Sequence, residues 1–166
     1  MGPARIEEGL PALHSIGPKP TVLLVHPDAV TRTVVASELA DAFEFVCASS
    51  GEQAERMYLT RRPDVIVVDD GVTDTTPRSL VEGLRELDPR LRAVFLVERR
   101  PDAVVWRLAE LGTVLANRSD LERLRVALFK EVRALHSEQA RTERAQRRAE
   151  DETRRDAPES IRKSGD

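Results

Sequence analysis

The chain has 166 residues, of which 40% are hydrophobic and 33% are charged, and its formal net charge is −3 at pH 7. This length suffices for one folded domain with appendages, and the slight negative charge argues against a polycationic nucleic-acid-binding protein. The single cysteine, Cys47, excludes an intramolecular disulfide, and no apolar run reaches the ~18 residues of a membrane span. We therefore expect a cytoplasmic protein that does not contact membranes.

Residues 1–20 are rich in proline and glycine, which predicts a flexible leader. Short apolar segments after the leader predict buried strands. The predicted strands are Thr21–Val25, Phe43–Ala48, the run Val65–Val68 with Asp69 and Asp70 at its end, Ala93–Val97 and Thr113–Ala116.

Apolar residues at helical spacing predict a helix after each strand, and capping residues mark several helix ends. The predicted inward-facing residues are Val30, Val34, Val35 and Leu39; Ala54, Met57 and Tyr58; Leu80, Val81, Leu84 and Leu87; Val104, Val105, Leu108 and Leu111; and Leu121, Leu124, Leu128, Val132 and Leu135. The predicted helix ends are marked by a Ser50–Gln53 capping box, Thr76–Pro77, Asp88–Pro89, Gly112, and Ser119 with Glu122.

Five strands alternating with five helices over about 115 residues predict a three-layer α/β domain with right-handed crossovers. The common solution at this size is the flavodoxin-like doubly wound (βα)5 fold, whose parallel five-stranded sheet has the order 2-1-3-4-5. We assign residues 21–135 to this domain.

Residues 136–157 predict a charged helical extension of the fifth helix, and residues 158–166 predict a disordered tail. Residues 137–166 hold eight basic and eight acidic side chains, and Ala140, Ala145 and Ala149 are too weak a stripe to define a coiled coil. Two interpretations stay open, a solvated helix and a docking or dimerising helix. The balanced charge removes the electrostatic attraction that DNA binding by this segment would require.

The segment Arg62-Pro63-Asp64 followed by Val65–Asp69, together with the order of elements over residues 21–135, resembles the response-regulator receiver domains of two-component signal transduction. The resemblance implies that Asp69 occupies the phosphoacceptor position. It also implies an acidic pair after strand one that holds Mg²⁺, a Thr or Ser after strand four, and a Lys after strand five that contacts the phosphoryl group.

The residues at these supporting positions depart from the pattern. They are His26 and Pro27 for the acidic pair, Val97 for the Thr or Ser, and Asn117 for the Lys, with Arg118 following it and Val114 in place of an aromatic residue of strand five. Proline has no ligand atom in its side chain, and imidazole suits Mg²⁺ poorly. We therefore expect weak or absent Mg²⁺ binding, no cofactor and no enzymatic activity.

Asp28, one position after the expected acidic pair, is predicted to cap the first helix. Two arrangements of the pocket are open. In one, His26 replaces a metal contact by a hydrogen bond to Asp69. In the other, His26, Asp28, Asp69 and Asp70 form a transition-metal site, since imidazole and carboxylates suit such ions.

These departures predict a divergent pseudo-receiver that acts by protein–protein interaction, including possible homodimerisation. The resemblance places the interaction face on helix four, strand five and helix five, with Trp106, Val114 and Arg118, and the helical extension adds to it. Trp106 is interpreted either as a partly packed core residue or as an interaction anchor. The alternative function is that of a single-domain response regulator phosphorylated on Asp69 in a phosphorelay.

Overall fold

A computed structural model of the chain describes residues 18–98, 102–116 and 120–158. Its elements are β1 (Thr21–Val25), α1 (Ala29–Glu38), β2 (Glu44–Ala48), α2 (Gly51–Arg61), β3 (Val65–Asp69), α3 (Pro77–Leu87), β4 (Arg92–Leu96), α4 (Asp102–Ala109), β5 (Thr113–Leu115) and α5 (Leu121–Arg155). The predicted leader falls mostly, and the predicted tail almost entirely, outside the described residues.

The five strands form one parallel sheet with the order β2-β1-β3-β4-β5, which confirms the predicted flavodoxin-like doubly wound fold. Val25, the last residue of β1, lies beside Ala48 of β2 and Val68 of β3. Because these strands run in the same direction, the residues that follow β1 and β3 meet at one edge of the sheet. This edge is where doubly wound folds place their sites.

The hydrophobic core consists of two layers, one on each face of the sheet. On one face α2, α3 and α4 cover residues such as Leu23, Ile66 and Phe95. On the other face α1 and α5 cover residues such as Leu24 and Val67. All five residues of β3 are buried, as expected for a strand that has helices on both sides.

The predicted inward face of α1 was wrong for two of its four residues. Val35 and Leu39 are buried, whereas Val30 is 70% exposed and Val34 is 46% exposed. This ten-residue helix needs only one row of side chains to cover β1, so the second row faces solvent. Leu87 of α3 and Val104 of α4 are also exposed, because each lies at the margin of its helix's apolar stripe.

Several element ends differ from the sequence prediction by one to three residues. α4 ends at Ala109, and the N–H groups of Leu111 and Gly112 both donate to the carbonyl of Leu108, so Gly112 lies in the turn that follows the helix. A Cβ atom on Gly112 would collide with the carbonyl oxygen of Ala93, which explains glycine there. β2 starts at Glu44, β4 covers Arg92–Leu96, and β5 ends at Leu115.

The fifth helix is capped by Asp120, whose carboxylate accepts the N–H of Arg123 at 3.0 Å, and not by Ser119, which lies outside the described residues. α5 then runs unbroken for 35 residues and carries mainly exposed side chains beyond Leu135. Its density of charge is too high for a bilayer, and none of the helices in the described part of the chain is apolar enough over a sufficient length to span one.

Candidate functional site

Asp69 ends β3 at the carboxyl edge of the sheet, and its side chain is completely buried. Its Oδ2 atom accepts the backbone N–H of Gly71 at 2.7 Å, which ties the carboxylate to the loop that follows the strand. The Asp70 N–H donates to the carbonyl of Leu96, so β3 and β4 stay paired one residue past the acceptor position. The local backbone thus fixes where the Asp69 carboxylate lies.

His26 follows β1 and is also buried. Its backbone N–H donates to the carbonyl of Ala48, and its ring Nδ1 accepts the backbone N–H of Asp28 at 3.0 Å. Because Nδ1 acts as an acceptor, the proton of the neutral ring is on Nε2. Nε2 lies 3.5 Å from Asp69 Oδ1, so the imidazole presents its N–H side to the carboxylate.

Asp28 is the N-cap of α1, as predicted. Its Oδ2 accepts the Thr31 N–H at 2.8 Å and the Thr31 hydroxyl at 2.6 Å, and the hydroxyl bond is the main cause that lowers the pKa of Asp28. The carboxylate is exposed and engaged at the start of the helix. Within residues 18–98, 102–116 and 120–158, no group of three or more His, Cys, Asp or Glu side chains is placed to hold a metal ion.

Arg32, which sequence reasoning missed, closes the loop between β1 and α1. Its guanidinium donates to the carbonyl of His26 at 2.6 Å and to that of Pro27 at 3.1 Å. A positive charge therefore lies against the backbone carbonyls of the two positions at which the resemblance expects the acidic pair. The signal was present in the sequence as the only basic residue of α1, but nothing in its spacing shows that the side chain folds back onto the loop.

Of the other predicted pocket and strand-five positions, the structure describes Val97 and Val114. Val97 is buried, and its backbone N–H donates to the carbonyl of Leu115 at 2.9 Å, so an aliphatic side chain follows β4 at this edge. Asn117 and Arg118 lie outside the described residues. The side chain of Val114 is partly buried and packs against the core layer that contains α4.

A second residue that sequence reasoning missed, Asp74, anchors the loop after β3. Its Oδ1 accepts the Gly51 N–H at 2.9 Å and its Oδ2 accepts the Glu52 N–H at 3.0 Å, at the start of α2. The bond from Gly51 is the main cause that lowers the pKa of Asp74. Ser50 caps the same helix by accepting the Gln53 N–H, while the Gln53 side chain accepts from Ser49 rather than completing a box with Ser50.

The face formed by α4, β5 and α5 exposes apolar side chains at the free edge of the sheet. Trp106 is 73% exposed, which rules out the interpretation as a partly packed core residue. Val104 and Val126 are exposed on the two helices that flank β5. A shallow groove between β5 and α5 is lined by Thr113, Leu115, Glu122, Arg123, Val126, Ala127 and Lys130.

Of the comparisons with known proteins, the one with solved structures shows the fold. No protein-family model matches the chain, and no curated protein matches it. Among solved structures, an adenylate cyclase from Rhodopirellula baltica has a TM-score of 0.73 at 16% identity, with 78% of this chain and 98% of that chain covered. The signal receiver domain of a putative Luxo repressor protein from Vibrio parahaemolyticus has a TM-score of 0.68 at 15% identity, with 74% and 97% covered.

The non-phosphorylated HemR receiver domain from Leptospira biflexa has a TM-score of 0.62 at 23% identity, with 69% of this chain and 94% of that chain covered. At these identities the likeness establishes the fold. The chain therefore has the fold of response-regulator receiver domains, a class of signalling module.

Proposed function

We propose that the chain is a receiver-like signalling module whose phosphorylation pocket is degenerate and which acts in the cytoplasm by protein–protein interaction, without enzymatic activity. The observation that carries this proposal is the contact of His26 Nε2 with Asp69 Oδ1 at 3.5 Å. The imidazole stands where the resemblance expects an acidic residue, and its Nε2 faces one oxygen of the Asp69 carboxylate.

The side chains of this pocket do not fit Mg²⁺, which prefers several hard oxygen ligands in octahedral geometry. Nδ1 of His26 already accepts the backbone N–H of Asp28, and the Asp28 carboxylate is engaged by Thr31. Pro27 has no ligand atom in its side chain. Without the metal, repulsion between Asp69 and an incoming phosphoryl group is not offset. We therefore expect Asp69 to accept a phosphoryl group poorly.

The interaction half of the proposal rests on the face of α4, β5 and α5. Trp106 and Val126 are exposed apolar side chains of α4 and α5, the two helices that flank the short edge strand β5. The groove beside β5 is lined by Val126 and by charged side chains of both signs. An exposed tryptophan and an apolar groove are each typical of protein-binding surfaces. A second copy of the chain is one candidate partner for this face.

The first test is intact-protein mass spectrometry after incubation with a small phosphodonor such as acetyl phosphate, with and without Mg²⁺. Wild type is compared with Asp69→Asn. We expect no added phosphoryl mass in any sample. Addition to wild type that requires Mg²⁺ and is absent in Asp69→Asn would overturn the degenerate-pocket proposal and establish the alternative function, a phosphorylated single-domain response regulator.

The interaction face is tested separately by partner capture from cell extract and by sedimentation of the purified chain. Trp106→Ala should weaken the association, whereas Asp69→Asn should leave it intact. Leu87→Ala on α3 is the matched control, because Leu87 is also an exposed apolar side chain but lies outside this face. Loss of association in Asp69→Asn with none in Trp106→Ala would contradict the proposal.

A further inference from the structure

Beyond the domain, α5 carries an uncharged stripe at heptad spacing. The stripe consists of Gln139, Thr142, Gln146, Ala149 and Thr153. Steps that alternate between three and four residues keep these side chains on one face of the helix. Leu128, Val132 and Leu135, which are buried against the sheet, precede the stripe in the same register. The face that packs onto the domain thus continues without interruption beyond it.

The two threonines of the stripe have satisfied hydroxyl groups. Thr142 Oγ1 donates to the Glu138 carbonyl at 2.9 Å, and Thr153 Oγ1 donates to the Ala149 carbonyl at 2.8 Å. On this face Thr153 lies one helical turn after Ala149, and Thr142 lies two turns before it. A second helix can cover this stripe closely without leaving a threonine hydroxyl unpaired.

Charges are segregated around the extension. The positions that flank the stripe in heptad order carry Glu138, Glu143, Ala145, Glu150 and Glu152, whereas the opposite face carries Arg141, Arg144, Arg147, Arg148, Arg154 and Arg155 together with Ala140 and Asp151. Glu138 pairs with Arg92 at 3.2 Å at the base of the extension. Among the described residues, no ion pair engages Glu143, Glu150 or Glu152.

We propose that this stripe, flanked by glutamates, docks an amphipathic helix of a different protein whose own seam is flanked by lysine or arginine. The charge pattern disfavours a second copy of the chain. In a parallel pair the flanking positions would meet as Glu138 with Glu143 and as Ala145 with Glu150, so no pair of opposite charge would form, and an antiparallel pair would again bring flanking glutamates together. The inference deepens the proposed function, on which it rests, by naming the chemistry of a partner for the helical extension.

The test uses the 166-residue chain and two synthetic helical peptides of about 20 residues, a length that matches the extension. The peptides share an isoleucine and alanine seam and differ only in their flanking positions, which are all lysine or all glutamate. Titration calorimetry should show that the lysine peptide binds at least about tenfold more tightly than the glutamate peptide. High salt should reduce this preference, because the flanking charges are exposed.

Two neighbouring acidic residues provide a matched pair of variants. Glu150 flanks the stripe, whereas Asp151 lies among the arginines of the opposite face. Glu150→Arg should weaken binding of the lysine peptide about fivefold, and Asp151→Arg should leave it unchanged. Equal binding of both peptides, absence of binding by the lysine peptide, or an equal loss in the two variants would each overturn the proposal.

Two further measurements separate this proposal from the one on the face of α4, β5 and α5. Trp106→Ala should leave peptide binding unchanged, because the peptide binds the extension and not that face. A failed peptide experiment would therefore count against the extension proposal alone. Sedimentation of the 166-residue chain at neutral pH compares wild type with Ala149→Arg, and this substitution should not reduce the proportion of any dimer. A dimer that Ala149→Arg does reduce would assign the stripe to a second copy and overturn the proposal.

Discussion

Arg92 Nε donates to Glu131 Oε2 at 2.8 Å and so joins the first residue of β4 to the buried face of α5. The other oxygen of Glu131 accepts the hydroxyl of Thr113, the first residue of β5, at 2.6 Å. Arg92 also reaches Glu138, where α5 leaves the domain. A buried carboxylate is thereby satisfied from two neighbouring strands, and the helical extension starts from a fixed point.

Arg92→Met should lower the free energy of unfolding by about 2 to 4 kcal/mol, because Glu131 would keep its buried charge without its cation. Urea denaturation followed by circular dichroism measures this loss. The double variant Arg92→Met/Glu131→Leu should recover most of it, since both charges are then removed. A double variant no more stable than Arg92→Met would contradict the assignment of the loss to an unpaired carboxylate.

Two glycines should respond in opposite directions to alanine. Gly83 lies in the exposed middle of α3, where a Cβ atom meets no neighbour within 4 Å, so Gly83→Ala should stabilise the protein by about 0.5 to 1 kcal/mol. Gly112→Ala should destabilise it by about 1 to 3 kcal/mol, because the Cβ would press into the Ala93 carbonyl and separate β5 from β4. Thermal unfolding of both variants checks the prediction, and equal shifts would refute it.

Asp74 should make stability depend on pH at the acidic end. Its pKa in the folded protein is below the ordinary value of 3.8, because the carboxylate accepts the N–H groups of Gly51 and Glu52. The stabilisation is therefore fully present above the ordinary pKa and is lost as pH falls through the lowered one. Asp74→Ala should be less stable than wild type near neutral pH, and the difference should shrink between about pH 5 and about pH 2. A difference that stays constant over this range would show that the charge of Asp74 contributes nothing.

The fold could be predicted from the sequence because each strand is a compact apolar run and each helix has a visible stripe. Helix faces were less predictable. Valine at positions 30 and 34 has the same spacing as the buried Val35 and Leu39, and only the width of the helix's contact with the sheet decides which row is buried. Helix ends depend on single hydrogen bonds, so Asp120 rather than its neighbour caps α5.

The candidate site was partly accessible to the same reasoning. The order of parallel strands brings the residues after β1 and β3 together, so the proximity of His26 and Asp69 follows from the predicted topology. The contribution of Asp74 could not be foreseen, because it joins positions 23 residues apart through a loop without a regular pattern. Trp106 lies beside an apolar stripe, which did not reveal that the indole is exposed.

The pocket should regain metal binding when its oxygen ligands are restored. His26→Asp/Pro27→Asp places two carboxylates beside Asp69, and their mutual repulsion should lower stability in the absence of a divalent ion. Mg²⁺ at about ten times its dissociation constant should then raise the free energy of unfolding of this variant by about 1.4 kcal/mol, and leave wild type unchanged. Adding Asp69→Asn to the double variant should remove most of the response. A Mg²⁺-dependent gain in wild type equal to that of the variant would show that the native pocket already holds the ion, and that His26 does not exclude it.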